Sequence, residues 1–246
     1  MNKELNSPKI SIITVSYNAE QCIEQSILSV LGQTYKNIEY IIVDGGSTDK
    51  TVEVINRYDD LLYYWISEPD KGIYDAMNKG LKVATGDWIY FLGAGDILLN
   101  VIDKIVNNFT DDKKVYYGDV YRTDLLKVFN GKFSKFRSAR MSICHQAIFY
   151  PASIIKRLGF NTKYKVQGDH NLNMEIEGQV GYSFEYFNAV VCIYEGGGFS
   201  AVTRDEAFFK DRLGIVKKNF PKIVYYYAFL LDKFLKLIKR GEYRHR

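Results

Sequence analysis

From residue 10 onward, short apolar runs alternate with stretches of helical period. Residues 10–15 and 38–43 are continuous runs rich in β-branched side chains, the pattern of strands buried on both faces. Between them, residues 20–32 set Cys22, Ile23, Ser26, Ile27, Val30 and Leu31 on one helical face. Residues 44–49 read as a turn in which Ser47 or Thr48 can cap a helix over 51–58. A third strand is predicted at 61–66. A helix over 72–84 carries Ile73, Met77, Leu81 and Ala84, and a fourth strand at 87–92 ends in a tight turn at 93–96. A helix over about 98–109 follows. Strand–helix alternation at this spacing predicts right-handed βαβ units and a mainly parallel sheet. In such sheets ligands bind beyond the carboxyl ends of the strands. The polar clusters at 16–18, 44–49, 68–71 and 93–96 all fall there.

After about residue 113 the pattern loosens. Strands are predicted at 115–120 and 127–133, an apolar strand or loop at 143–150, and a short helix at 151–159 opened by Pro151. A helix at 167–177, a strand pair within 182–194, and helices at 204–218 and 222–240 complete the chain. There is no internal repeat.

Bulk properties narrow the class. A chain of 246 residues, 47% hydrophobic and 25% charged, suits a folded α/β body rather than a disordered one. Aromatics reach 15%, with 20 Tyr, which suits half-buried surfaces with one wet end. Residues 201–246 carry 12 Lys/Arg against 5 Asp/Glu, a net of +7 on a chain of +4, so residues 1–200 are slightly acidic at −3. A nucleic-acid binder would spread its basic surface more widely. Cys22, Cys144 and Cys192 have neither zinc-site nor CxxC spacing, and with no apolar leader at residues 1–9 they are expected to be reduced thiols in the cytoplasm. No window approaches 18 uninterrupted apolar residues. The basic, aromatic, amphipathic segment at 222–240 suits an anionic membrane surface, and equally a helix packed on the body or on a second subunit.

The strings "SIITVSYNAEQCIEQSILSVLGQTYKNIEYIIVDGGSTDKT" and "EPDKGIYDAMNKGLKVATGDWIYFLGAGD" resemble the opening of the family-2 inverting glycosyltransferases of bacterial surface-polysaccharide type. The likeness continues more weakly through "CHQAIFY" (144–150), "QGDHNL" (167–172) and "GGGFS" (196–200). The resemblance implies a GT-A fold: a Rossmann-like nucleotide-sugar-binding half at about 9–110, an acceptor-binding half at 111–203, and a basic helical tail at 204–246. It implies a UDP-sugar donor contacted by Val15, Tyr17, Asp44, Lys71, Gly72, Asp75, Asn78 and Gly95. Tyr17 would stack on the base and Asp44 would accept from the uracil imide N–H. Lys71 is a point charge suited to phosphate. Asp96 would hold Mn²⁺ or Mg²⁺, which suits a hard cation that shares carboxylate, phosphate and water oxygens. The family commonly carries a pair of acids there, and Gly93-Ala94-Gly95-Asp96 retains one. Asp169 matches the general base that deprotonates the acceptor, and His145 and Gln146 would line the donor or acceptor pocket. The implied acceptor is a lipid-linked glycan of O-antigen or capsule type at the inner face of the cell membrane. Association there would be peripheral, through residues 222–240, and a homo-oligomer is left open.

The residues also admit plainer roles. Tyr17 also reads as a core-edge tyrosine, Asp49 as turn and helix-cap chemistry, Asp169 as a helix cap, and His145 as a structural histidine. Gly93-x-Gly95 is not a dinucleotide fingerprint, because the third position is Leu98 and the turn follows the fourth strand. A nucleotidylyltransferase would carry a basic glycine-rich loop after the first strand, which "VSYNAEQC" lacks. A non-catalytic sugar-nucleotide-binding protein with a decayed metal site stays open.

Overall fold

The β-branched run that opens the chain is the centre of the sheet. In β1 (Ile10–Ser16), Ile10 and Ile12 pack on one face and Ile13 and Val15 on the other, and the whole strand is buried. The computed structural model describes residues 7–196 and 203–242. β2 (Ile38–Asp44), β3 (Tyr64–Ser67) and β4 (Trp88–Gly93) run parallel to β1 in the order β3-β2-β1-β4. Helices α1 (Ile23–Leu31) and α2 (Thr51–Asn56) make two of the crossovers, and α3 (Ile73–Val83) makes the third. α1 and α2 cover the Ile10/Ile12 face and α3 the Ile13/Val15 face. Burying each large aliphatic side chain contributes about 1.5–3 kcal/mol, so this two-sided core holds the strand ends in fixed register. Ser16 pairs with Asp44, Asp44 with Ser67, and Val15 with Gly93.

The second half extends the same sheet. β8 (Ile148–Pro151) runs antiparallel to β4 and to β6 (Lys114–Arg122). β6 pairs in parallel with β9 (Ser183–Tyr194), and short β5 (Ile97–Leu98) and β7 (Lys127–Phe129) pair with β9 and β6. Four helices pack around this part: α4 (Ile102–Ile105), α5 (Lys135–Ser138), α6 (Ala152–Leu158) and α7 (Gly168–Glu177). α8 (Glu206–Asn219) and α9 (Lys222–Glu242) follow.

Three expectations change. The strand pair expected within 182–194 is one twelve-residue strand, kinked where its register with β6 shifts between Tyr117 and Val120. The helix expected from 98 to 109 starts at Ile102, because Leu98 is drawn into pairing with Cys192 of β9. The strand expected at 127–133 stops at Phe129, where Asn130 and Gly131 take positive φ. Residues 206–219 also bind into the body: Phe208 and Val216 are buried with Met174 of α7, and the Arg212 guanidinium reaches the Ala139 carbonyl and Asp232. Among the described residues, no helix is long and apolar enough to cross a membrane, and Cys22, Cys144 and Cys192 are unpaired.

Candidate active site

A cleft of about 610 Å³ opens beyond the carboxyl end of β4, between the two halves of the sheet. The turn that brings Asp96 to it is built from α1. The Ser26 hydroxyl accepts the Gly95 N–H at 2.8 Å and donates to the Asp96 carbonyl at 2.8 Å, while Gln25 donates to the Gly95 carbonyl. Gly95 sits at φ 104, which favours glycine. A Cβ on Gly93 would come within 2.5 Å of Asp96 Oδ2, so that glycine lets the carboxylate fold back over the strand end.

Asp96 is 4% exposed. Its Oδ1 accepts the Glu195 N–H at 3.0 Å and its Oδ2 accepts Gln146 Nε2–H at 2.9 Å. Burial pushes its carboxyl up to about 6, and these two hydrogen bonds offset only part of that. Each oxygen keeps a further acceptor site, so Asp96 fits as a single carboxylate ligand for a hard cation. Glu195, which the sequence reading missed, lines the same cleft, with Oε2 against Gly95. Among the described residues no three His, Cys, Asp or Glu side chains converge as a metal cage. Phosphate oxygens and water would therefore complete the shell.

Across the cleft, Asp169 stands in the first turn of α7 and is 8% exposed. Its Oδ1 accepts from the Tyr74 hydroxyl at 3.2 Å and the His170 N–H at 2.7 Å. Its Oδ2 accepts from the Ser142 hydroxyl at 3.2 Å and faces His145 Nδ1 at 3.7 Å. Burial alone would raise this carboxyl; the His145 ring, followed by His170, more than offsets it and holds Asp169 below its ordinary value. It is therefore ionised at neutral pH. His145 and Gln146 are consecutive in the chain, and one touches Asp169 while the other touches Asp96. His170 points away, with Nε2 2.7 Å from the Ser138 carbonyl and its ring against Phe208. Tyr74, Ser142 and Arg122 also line the cleft and were not singled out in the sequence. Arg122 is held by Asp124 through Nε and Nη2 at 3.0 and 2.6 Å.

The ends of β1 and β2 carry the other expected contacts. Val15 lines the cleft and Tyr17 is 64% exposed just past β1. Asp44, expected to read the base, ends β2 between Ser16 of β1 and Ser67 of β3. It is fully buried, and five donors occupy it: the Ser16 and Ser47 hydroxyls on Oδ1, and the Gly46 N–H, Ser47 N–H and Ser67 hydroxyl on Oδ2. These donors outweigh burial and hold its carboxyl low. Neither Ser47 nor Thr48 caps α2: its N-cap is Lys50, and Asp49 just before it accepts the Thr51 N–H at 3.0 Å. Asn78 is also diverted: its amide clamps the Phe160 backbone in both directions at 2.8 Å. Asp75 accepts the Lys71 N–H at 3.0 Å, bracing the turn at Lys71 and Gly72. Neither Asp75 nor Asn78 lines the cleft. Of the "GGGFS" string, only Gly196 lies within the described residues.

Residues 11–191 match the family model described as Glycosyl transferase family 2. A PGL/p-HBAD biosynthesis glycosyltransferase of Mycobacterium bovis is 32% identical over 242 residues, covering 89% of this chain and 93% of the relative. Solved structures of similar fold include S. aureus TarS 1-349 in complex with UDP-GlcNAc, at TM-score 0.67 and 18% identity, over 85% of this chain and 66% of that one. Another is the mannosyltransferase PcManGT from Pyrobaculum calidifontis in complex with GDP-Man and Mn²⁺, at TM-score 0.64 and 19% identity, over 89% and 65%. The chain thus spans slightly under two thirds of these two structures.

Proposed function

Because the chain belongs to glycosyl transferase family 2, we propose that it moves a hexose or N-acetylhexosamine from a UDP-sugar to a lipid-linked glycan, with inversion at the anomeric carbon. One observation carries this reading: adjacent residues His145 and Gln146 touch an ionised carboxylate on one wall of the cleft and a metal-competent carboxylate on the other. The fold is of GT-A type, and the UDP-GlcNAc and UDP complexes of its structural neighbours support the donor class.

Asp169 is the acceptor-side group. Its Oδ2 takes the proton of the acceptor hydroxyl as that oxygen attacks the anomeric carbon. Tyr74 and the His170 amide hold Oδ1, which fixes the direction of Oδ2. His145 faces the same oxygen and favours its charged form before the proton arrives. Displacement is direct, so no sugar is carried on the enzyme. On the donor side, Tyr17 offers a ring to the base, and Lys71 and Gly72 lie at the turn that opens α3. Asp96, with Glu195 beside it, would hold Mn²⁺ or Mg²⁺. When bound, that cation supplies charge neutralisation for the departing nucleotide.

The acceptor and site of action rest on α9. Val224 and Ala228 face the body, and Tyr227 packs on Phe136. The opposite face exposes Ile223, Tyr226, Leu230, Phe234 and Leu237 at helical spacing. Packing therefore accounts for one face only, and the other suits the anionic inner leaflet, where a lipid-linked acceptor of O-antigen or capsule type is presented.

The test is UDP release from UDP-Glc, UDP-Gal, UDP-GlcNAc and UDP-GalNAc, with membrane lipid extract as acceptor. Asp169→Asn is expected to bind UDP normally and to lose transfer by about 10²-fold or more. Normal turnover in that variant would remove Asp169 as the base. A product with retained anomeric configuration would overturn direct displacement.

A further inference from the structure

Where α8, α9 and the segment after α5 meet, a second cavity of about 530 Å³ opens, and it shares no lining residue with the cleft. Its apolar lining comes from Phe209 of α8 and from Ala228, Leu231 and Leu235 of α9. Its charged lining is four cations, Arg140, Arg204, Lys210 and Arg212, against two acids, Glu206 and Asp232. Both acids are spent on two of the cations. Asp232 accepts from Arg212 Nη2, while Arg212 Nη1 donates to the Ala139 carbonyl at 3.0 Å. Glu206 pairs with Arg204 Nε at 2.9 Å, and the Arg204 guanidinium lies 5.2 Å from the centre of the Phe209 ring.

Arg140 and Lys210 are left over. Both are exposed, and neither is ion-paired among the described residues. Arg140 meets the Tyr227 hydroxyl of α9 at 3.5 Å. Positive charges gathered at one concave site favour an anion between them. The apolar lining narrows which anion. Leu231 and Leu235 lie one helical turn apart, and the adjoining stripe of α9 exposes Leu230, Phe234 and Leu237. A free phosphate would leave these side chains in water. A phospholipid supplies a phosphate for the cations and acyl chains for the leucines.

We propose that this cavity holds the phosphate headgroup of one anionic phospholipid, between Arg140 and Lys210, with the acyl chains leaving along α9 into the leaflet. The assignment rests on the membrane reading of α9 above and turns a general attraction into a defined site. It also sets which side of the molecule faces the lipid. Ser142, two residues beyond Arg140, donates to Asp169 at 3.2 Å. Two residues of chain span at most about 7 Å, so a headgroup on Arg140 brings the leaflet to the acceptor side of the cleft.

The test is co-sedimentation of the full chain with phosphatidylglycerol vesicles. Arg140→Gln with Lys210→Gln is compared with Lys217→Gln with Lys218→Gln, which removes the same charge from exposed positions of α8 outside the cavity. The first pair should weaken binding about tenfold or more, and the second about threefold or less. Calorimetry with monomeric dihexanoyl-phosphatidylglycerol should show a saturable site in wild type that the first pair loses and for which glycerol 3-phosphate does not compete. Unchanged thermal melting in both pairs excludes misfolding as the cause. If wild type sediments but the two pairs lose equally, or if glycerol 3-phosphate competes at the lipid's own concentration, the headgroup site is overturned while the membrane reading stands. If wild type does not sediment with the vesicles, that reading falls and the site with it.

Discussion

Glu39 opens a test of what holds the nucleotide half together, apart from its chemistry. It lies near the amino end of β2, at the opposite edge of the sheet from the cleft, with its side chain 2% exposed. Burial alone would raise its carboxyl. The Lys9 ammonium at 2.5 Å, the Ser11 and Thr85 hydroxyls at 2.5 Å each and the Thr85 N–H more than offset that, and hold it at about 2 against an ordinary 4.5. A carboxyl depressed on folding stabilises the fold above its unfolded value, and the gain is lost as pH falls from about 4.5 to about 2. At about 1.4 kcal/mol per unit the shift is worth about 3 kcal/mol. Lys9 is 35% exposed and screened by water, which reduces the figure to about 2 kcal/mol. Glu39→Gln removes the charge and turns an amide donor toward groups that are themselves donors. It should lower the melting temperature by roughly 4–8 °C near neutral pH. The assay is urea unfolding followed by the fluorescence of Trp65 and Trp88 at several pH values. The gap between wild type and variant should shrink by about half or more near pH 3. A gap that stays constant across the range would refute the linkage argument.

Three further outcomes follow from the site. Tyr74→Phe removes the hydroxyl that spans Val166 and Asp169; kcat should fall about three- to tenfold with the donor KM unchanged, and an unaltered kcat would show that Asp169 needs no such brace. UDP at about 100 times its Kd should stabilise wild type by about 2.7 kcal/mol. Adding Mn²⁺ should raise that further in wild type and not in Asp96→Asn, and equal Mn²⁺ increments in calorimetry would discount Asp96 as ligand. Leu230→Glu with Phe234→Glu should abolish co-sedimentation with phosphatidylglycerol vesicles while leaving turnover on a water-soluble acceptor intact; continued sedimentation would place the membrane contact elsewhere.

The first half of the fold was legible because its signals are local. Residues 10–15 and 38–43 read as strands buried on both faces, and they are buried on both faces. Strand–helix alternation then puts polar segments at one sheet edge whatever the details of packing. Asp96 was legible for the same reason, as the acid of a glycine turn after a strand. The second half was less so. β9 pairs with β6 and β5 across long stretches of chain, and the kink at 117–120 leaves no local mark. Glu195, Ser142 and Tyr74 reach the cleft only through such distant contacts, so no spacing reveals them.

The direction in which a carboxylate points leaves no mark in the sequence. Asp44 stands between Ser16 and Ser67 in the registers of β1 and β3, and both neighbours present hydroxyls to it. With the turn at 46–47 adding backbone donors, its charge is consumed in closing the sheet edge. Gly45 leaves a gap that only a side chain from another loop can enter, and Asp70 enters it with one oxygen anchored and one open. The motif marks the strand end, and the packing of Asp70 on Gly45 and of Pro69 on Gly46 decides which neighbouring loop is seated against it.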